Sequence, residues 1–534
     1  MHRKVLSESL GWIAGLVLAI GPLMPGHAAA AQASRGEGVA AVRANCAGCH
    51  RETAPDHFDR ISDERKTPEG WAMTVFRMRQ VHGVRMTAAD QAAIIRYLSD
   101  AQGLAPSEAA AGRFALERRP NVKDLQLPGN LAVVCGRCHT LARVAMQRRD
   151  APEWLKLVNM HVGQWPSLEY QDRSRGIEWW KIATTQVPQE LAKLFPLHTA
   201  AWQEWSTHPH AALDGQWIVH GHTPGRGDYY GTATIKRVDS DEYSATYALH
   251  YSSGTALEGS STGRVYTGYQ WRGTATLGGQ SVREVYFASA DGSKISGRWF
   301  LNDHPEIGGD WRAARARGAP AVVAAIPQAL KAGTTQRLVL VGRALRGPVS
   351  LGAGTRVRVV ARTGFGLTLR VTVARDAAPG YRMLRIGGLR APRLLAVYDR
   401  VDRLTVEPSF AIARLGGGTL APVDAQFEAI AYTDAAGPDG KVMAIPLGAM
   451  PAIWRLEPFD ARAAQGGDIH FAGTLSPEGR FQPAGAGPNP ARPFSADNTG
   501  NLLVTAALPD GTPAVRGQAH LVVTVQRWVN PIIY

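Results

Sequence analysis

The chain has 534 residues, too many for a single hydrophobic core, and its length points to three to five domains. With 45% hydrophobic and 19% charged residues it has the composition of folded protein, which excludes a disordered chain. The formal charge of +14 arises from basic residues scattered mostly singly among other residues, so nucleic acid is not an expected partner; such a surface equally well steers an acidic protein.

In chain order, residues 1–30 read as a signal peptide. "MHRK" is a short basic region, "LGWIAGLVLAIGPLM" an apolar stretch of secretory length, and "GHAAAAQA" supplies small residues for cleavage. Leu10–Met24 is short for a spanning helix and contains Pro22, and no later segment is long and apolar enough to span. The expected mature protein is exported to the periplasm, with no membrane span after signal cleavage.

All four cysteines fall in two copies of one pattern, C-x-x-C followed directly by His: Cys46, Cys49, His50 and Cys135, Cys138, His139. An exported protein normally pairs its cysteines in disulfides. Here the spacing suits covalent haem c instead: two thiols three residues apart add to the two vinyl groups, and the adjacent imidazole reaches the iron. A zinc site would not need the His to follow immediately, and a thioredoxin-type motif occurs once and in a βαβ setting. The expected cofactors are two covalently bound haems c, in a domain spanning 31–208.

Both segments then place a Trp, a Val four residues on, and a candidate sixth iron ligand seven residues on. These are Trp71, Val75 and Met78 in the first copy, and Trp154, Val158 and His161 in the second. The offset suggests one His–Met and one His–His haem, and hence unlike potentials, because a thioether favours ferrous iron and an imidazole lowers the potential. Alternatives lie close by, His82 and Met86 for the first haem and Met160 for the second. Met78 can also be read as core and His161 as a hydrogen-bonded surface residue. Thr87 is the expected N-cap of a helix running to Asp100.

After residue 208 the texture changes to short alternating strands broken by Gly, Asp and Ser. Residues 209–316 are expected to form an antiparallel barrel-like domain, and 317–396 and 397–534 two immunoglobulin-like sandwiches. The terminal "QRWVNPIIY" reads as a core strand or a docking segment. His220 and His222 alternate along one strand, but two histidines without a third ligand are weak evidence for metal. Asp214, Asp228 and Asp303 read as turn residues. No catalytic motif stands out, so no catalytic residue is assigned. The expected fold class is multidomain, an N-terminal all-α dihaem cytochrome c domain followed by all-β domains.

This arrangement, together with "EGWAMTVFRMRQVHGV" and "GQWIVHGHTPGRGDYYG", resembles the large subunit of quinohaemoprotein amine dehydrogenase over essentially the whole mature chain. The resemblance implies a heterotrimer in which a small subunit carries a cysteine tryptophylquinone that oxidises primary amines, beside a β-propeller subunit. The large subunit would pass electrons through its haems to a copper protein or cytochrome c. All four cysteines being committed to haem, the quinone belongs to a partner, and this chain alone would not deaminate amines. The main rival is a free-standing dihaem carrier whose β domains bind a partner; a dihaem peroxidase would have no evident use for so long a β tail.

Overall fold

The computed structural model describes residues 25–165, 168, 176–437, 440–509 and 515–526, with backbone alone for 25–33. The export segment up to Met24 and the terminal residues from Arg527 lie outside the described residues.

The chain is mostly β, and the expectation of an all-α N-terminal domain is overturned. Helix α1 (Pro25–Cys46) leads into a small antiparallel pair, β1 (Glu52–Ala54) with β2 (His57–Phe58). Strand β3 (Glu64–Lys66) precedes α2 (Pro68–Gln80), α3 (Ala88–Ala101), α4 (Pro106–Ala110) and α5 (Arg113–Leu116). Two short helices, α6 (Leu131–Val134) and α7 (Ala142–Ala145), lead to β4 (Gln147–Arg149) and α8 (Ala151–Gln164). Helices α9 (Trp179–Thr185), α10 (Val187–Leu194) and α11 (Ala200–Thr207) complete the domain. The reason for the error is physical. Three-residue, largely charged strands carry no apolar alternation, and they form only because a partner far along the chain satisfies their backbone.

That partner reveals a repeat. Glu64-Arg65-Lys66-Thr67-Pro68-Glu69-Gly70-Trp71 corresponds to Gln147-Arg148-Arg149-Asp150-Ala151-Pro152-Glu153-Trp154. Both stretches run strand, N-cap, helix: Thr67 accepts from the Gly70 amide and Asp150 from the Glu153 amide. β3 and β4 pair antiparallel, with Glu64 opposite Arg149, Arg65 opposite Arg148 and Lys66 opposite Gln147. As Lys66 corresponds to Arg149 and Glu64 to Gln147, this register sets the two copies about a local two-fold axis between Arg65 and Arg148. The symmetry extends to side chains. The Lys66 ammonium lies 4.6 Å from the Trp71 ring centroid and the Arg149 guanidinium 5.2 Å from that of Trp154.

Eight antiparallel strands then close a barrel: β5 (Gly215–Thr223), β6 (Gly227–Arg237), β7 (Glu242–Tyr251), β8 (Ala256–Tyr266), β9 (Gln270–Leu277), β10 (Gln280–Ala288), β11 (Lys294–Leu301) and β12 (Gly308–Arg315), with β12 returning to pair with β5. Its interior is aromatic, and its core is continuous with Leu104, Ala109, Leu116, Ala142 and Met146 of the preceding domain. Arg96 pairs with Asp241, Glu69 with Arg272, and Arg119 with Asp310 at 2.7 Å, which ties the helical elements to the barrel.

Two four-stranded sheets follow over 321–398, sharing a Leu/Val core. The last region, 403–524, holds sheets of three, four and three strands. It also contains two short helices, Ala461–Gln465 and Asp468–Phe471, so it too is not purely β.

The barrel meets this last region through His222. Its Nδ1 lies 2.7 Å from Asp228 Oδ1 and its Nε2 2.8 Å from Glu428 Oε1, so both nitrogens donate and the imidazole is a cation. Asp228, read as a turn residue, instead sits in β6 as one arm of this clamp. Burial works against the charge, but the two carboxylates outweigh it and raise His222 from 6.5 to about 10. A raised pKa means stability that is fully present below about pH 6.5 and lost as pH rises through about 10. His222→Gln should therefore remove that alkaline loss and loosen the contact between the barrel and the last region below it. Limited proteolysis of the two proteins from pH 6 to 10 checks this, and parallel cleavage profiles would refute the clamp.

Candidate functional site

The first C-x-x-C-H motif sits where α1 ends. The Cys46 carbonyl accepts from the amides of both Cys49 and His50, at 3.0 and 2.9 Å, so the chain wraps tightly over the two thiols. Both cysteines are free, Cys46 half-buried and Cys49 exposed. Burial, with a smaller contribution from Cys49, pushes the Cys46 thiol up to about 11. His50 places Nδ1 3.1 Å from the Asp59 carbonyl. A backbone acceptor there fixes the proton on Nδ1 and leaves the Nε2 lone pair for a metal.

The second motif follows the same logic from a shorter helix. Cys135 caps α6, half-buried, and Cys138 is exposed; both are free. Burial pushes the Cys135 thiol up to about 11, helped by the charge of Glu190. His139 places Nδ1 3.0 Å from the Thr140 carbonyl. Burial lowers its proton affinity, and the Arg143 and His161 charges add to the effect.

The sixth-ligand candidates are distributed unequally. His161 lies on α8 with Nδ1 2.8 Å from the Leu157 carbonyl, which again leaves Nε2 free. Burial lowers its proton affinity, and the charges of Arg77 and Arg143 add to the effect. Met160 is half-buried beside it. In the first segment Met78 is half-buried on α2, and His82 is exposed beyond the helix end. Met86 packs against the cluster of Trp71, Val75, Ile94 and Leu98, which also takes in Cys46.

Orphaned donors stand nearby. Trp71 Nε1 donates to the Gln102 carbonyl at 3.0 Å, whereas Trp154 Nε1, its two-fold mate, is buried without a partner, as is Arg77 Nε. Unpaired thiols, imidazoles with Nε2 free and unpartnered buried N–H groups fit an iron macrocycle bearing acidic side chains. Among the described residues no group of three or more His, Cys, Asp and Glu side chains could hold a separate metal, and His220 and His222 are no exception. No helix among the described residues is long and apolar enough to cross a membrane.

Sequence reasoning missed the β3–β4 pairing and, with it, Arg65, Glu108 and Arg148 at the axis between the two segments. Arg65 bonds Glu108 through both terminal nitrogens at 2.8 Å, and Arg148 Nε reaches the same carboxylate at 3.1 Å.

Comparison with known proteins covers most of the chain. Residues 36–202 match the family model described as quinohemoprotein amine dehydrogenase A, alpha subunit, haem binding. Residues 210–316, 319–399 and 404–533 match the models of domains II, III and IV of the same alpha subunit. No curated protein matches. Among solved structures, a de novo designed fluorescence-activating beta barrel is similar over 19% of this chain and 92% of its own, at 17% identity and TM-score 0.17. Mouse clustered PcdhgC3 EC1-3 is similar over 45% of this chain and 86% of its own, at 10% identity and TM-score 0.15. At those scores neither likeness bears on fold or function. The four consecutive family matches do: the chain belongs to the family of quinohemoprotein amine dehydrogenase alpha subunits, with a haem-binding domain at its N-terminal end and, as an alpha subunit, a place in a multisubunit oxidoreductase.

Proposed function

We propose that this chain is the periplasmic dihaem electron-transfer subunit of an amine dehydrogenase. It would receive electrons from a cysteine tryptophylquinone in a small partner subunit, beside a β-propeller subunit, and deliver them to an external copper protein or cytochrome c. The observation that carries this reading is the two C-x-x-C-H motifs, each with its imidazole Nδ1 against a backbone carbonyl, in a single haem-binding domain. Haem iron, when bound, supplies one-electron redox chemistry.

The chain's own residues do the rest. Cys46 with Cys49, and Cys135 with Cys138, each form thioethers by adding their S–H across vinyl groups. His50 and His139 present Nε2 as proximal ligands, their orientation held by the Asp59 and Thr140 carbonyls. His161 would help hold the iron of the second haem, supported by the Leu157 carbonyl that occupies its Nδ1 and leaves Nε2 free. For the first haem the packing of Met86 against the same cluster as Cys46 favours it over Met78 and His82.

Cys135→Ala with Cys138→Ala should remove one covalent haem and leave the barrel folded; Cys46→Ala with Cys49→Ala should remove the other. Intact-protein mass and tryptic haem peptides measure both, and haem retained by a variant lacking all four thiols would end the attachment reading. In the same protein Met86→Ala should abolish the far-red sulfur-to-iron band while Met78→Ala keeps it; the reverse pattern reassigns the ligand.

A further inference from the structure

The positive charge of the chain is concentrated in one domain. Residues 319–399 hold 13 Arg and Lys residues against two carboxylates, Asp376 and Asp399, so 11 of the 14 excess charges fall in this sandwich. Strand pairing then lines three of its arginines up. Thr335–Arg343, Gly366–Val373 and Thr355–Thr363 lie side by side in that order, the last at the sheet edge. Arg337 stands directly opposite Arg370, and Arg370 directly opposite Arg358. Their neighbours Leu338, Leu369 and Val357 turn toward the core of the sandwich, so the three exposed arginines share its outer face. The next row on that face carries Thr335, Thr372 and Arg356.

Nothing within the chain balances this row. Arg337 donates to the Tyr230 hydroxyl of the barrel at 3.2 Å, and Arg358 and Arg370 have no partner among the described residues. Like charges directly opposite one another destabilise a sheet, so the arrangement works against the fold that carries it. Charge placed on an edge strand to block pairing with another sheet would explain Arg358 alone. It does not explain Arg370 on an interior strand or Arg337 beyond it. The second sheet of the sandwich repeats the pattern, with Arg385 opposite Arg390 and both exposed.

We infer that the arginine face of residues 319–399 is a docking surface for a second protein with an acidic patch, held transiently and not as a permanent subunit. Guanidinium forks match carboxylates in geometry as well as charge. Permanent interfaces are apolar at their centre and depleted of charge, whereas these two rows hold only arginine and threonine. An anionic membrane surface would favour apolar side chains among the cations, and the two rows have none. A charged face of this kind speeds encounter with an oppositely charged protein and loses its effect in salt.

The test titrates the purified, assembled enzyme with three probes: poly-L-glutamate, phosphatidylglycerol vesicles and duplex DNA. Arg358→Gln with Arg370→Gln should weaken poly-L-glutamate binding roughly tenfold at low ionic strength, and high salt should erase the difference. Arg455→Gln with Arg516→Gln removes the same charge from exposed positions of the last region and should weaken it less than about twofold. Equal losses in the two double variants would overturn the inference, as would a larger loss with vesicles or DNA than with poly-L-glutamate. Release of a subunit from the Arg358→Gln, Arg370→Gln enzyme would overturn it too, by making the face a permanent interface. Urea unfolding gives an independent reading. Arg370→Gln removes the central charge of the row and should leave the midpoint unchanged or raise it. A lowered midpoint would make the row structural and end the docking reading.

Discussion

Glu108→Ala should destabilise the haem-binding domain by about 3–5 kcal/mol, the cost of leaving buried charges without their partner. The side chains of Arg65, Glu108 and Arg148 are only 3%, 6% and 7% exposed. Glu108 also accepts from the Ala105 amide at 2.8 Å and the Thr199 hydroxyl at 2.9 Å, so every lone-pair direction is used. Burial alone would raise its carboxyl, but the Arg65 fork, the amide and the Arg148 charge outweigh that and hold it below its usual value of 4.5. A lowered pKa means stability present above about pH 4.5 and lost as pH falls through the folded value. Acid unfolding of the domain should therefore begin at higher pH in wild type than a fold without this carboxylate would need, and Glu108→Gln should flatten that slope while costing less than Ala. Urea unfolding followed by far-UV circular dichroism checks the magnitude. Glu178→Ala is the control, because its pair with Lys181 is 74% and 67% exposed and should cost within about 0.5 kcal/mol. Equal losses for the two variants would mean the clamp contributes nothing special.

The residues proposed to carry covalent chemistry are those a reader can find without a structure. C-x-x-C-H is a local constraint, complete within five residues, and the position seven after each Trp is fixed by helical geometry on α2 and α8. The residues that hold the two segments together are not local. Glu108 meets Arg65 across 43 residues and Arg148 across 40, and His222 meets Glu428 across 206. The strand pair at the axis leaves only a faint trace, the likeness of ERKTPEGW to QRRDAPEW. It becomes readable once pairing shows which residues correspond, because the Cys and Trp repeats run at different offsets. Charged three-residue strands defeat periodicity altogether, which is why the domain read as all-α. In 215–315 the alternation of the strands is plain in the sequence, but closure of β12 onto β5 is a property of twist and register that no single segment encodes.

The barrel interior carries the second large effect. Glu284 on β10 is buried among aromatic side chains, and three donors converge on it: Tyr247 Oη at 2.6 Å, Ser261 Oγ at 2.6 Å and Trp271 Nε1 at 2.9 Å. Alternation on β7, β8 and β9 turns all three inward, and Gly273, opposite Glu284 in the register, leaves room. A Cβ there would stand 2.6 Å from Glu284 Oε2 and 2.7 Å from Trp271 Nε1. Glu284→Ala should cost at least about 3 kcal/mol, since each of three buried donors left unsatisfied costs roughly 1–3 kcal/mol. Burial raises the Glu284 carboxyl and the three donors only partly offset it. Stability from this group is therefore full below about pH 4.5 and lost as pH rises through the folded value. Glu284→Gln keeps the shape, the Tyr247 hydroxyl turning to accept, and should cost less than about 1.5 kcal/mol at pH 5. At pH 9 it should match or exceed wild type, because an amide has no proton to lose. Tryptophan fluorescence of urea unfolding at both pH values checks this, since Trp217, Trp271, Trp299 and Trp311 all lie in the barrel core. If wild type and Gln keep a constant gap between pH 5 and 9, the buried carboxyl does not govern barrel stability; if the gap closes or inverts, the proton that burial favours on Glu284 does.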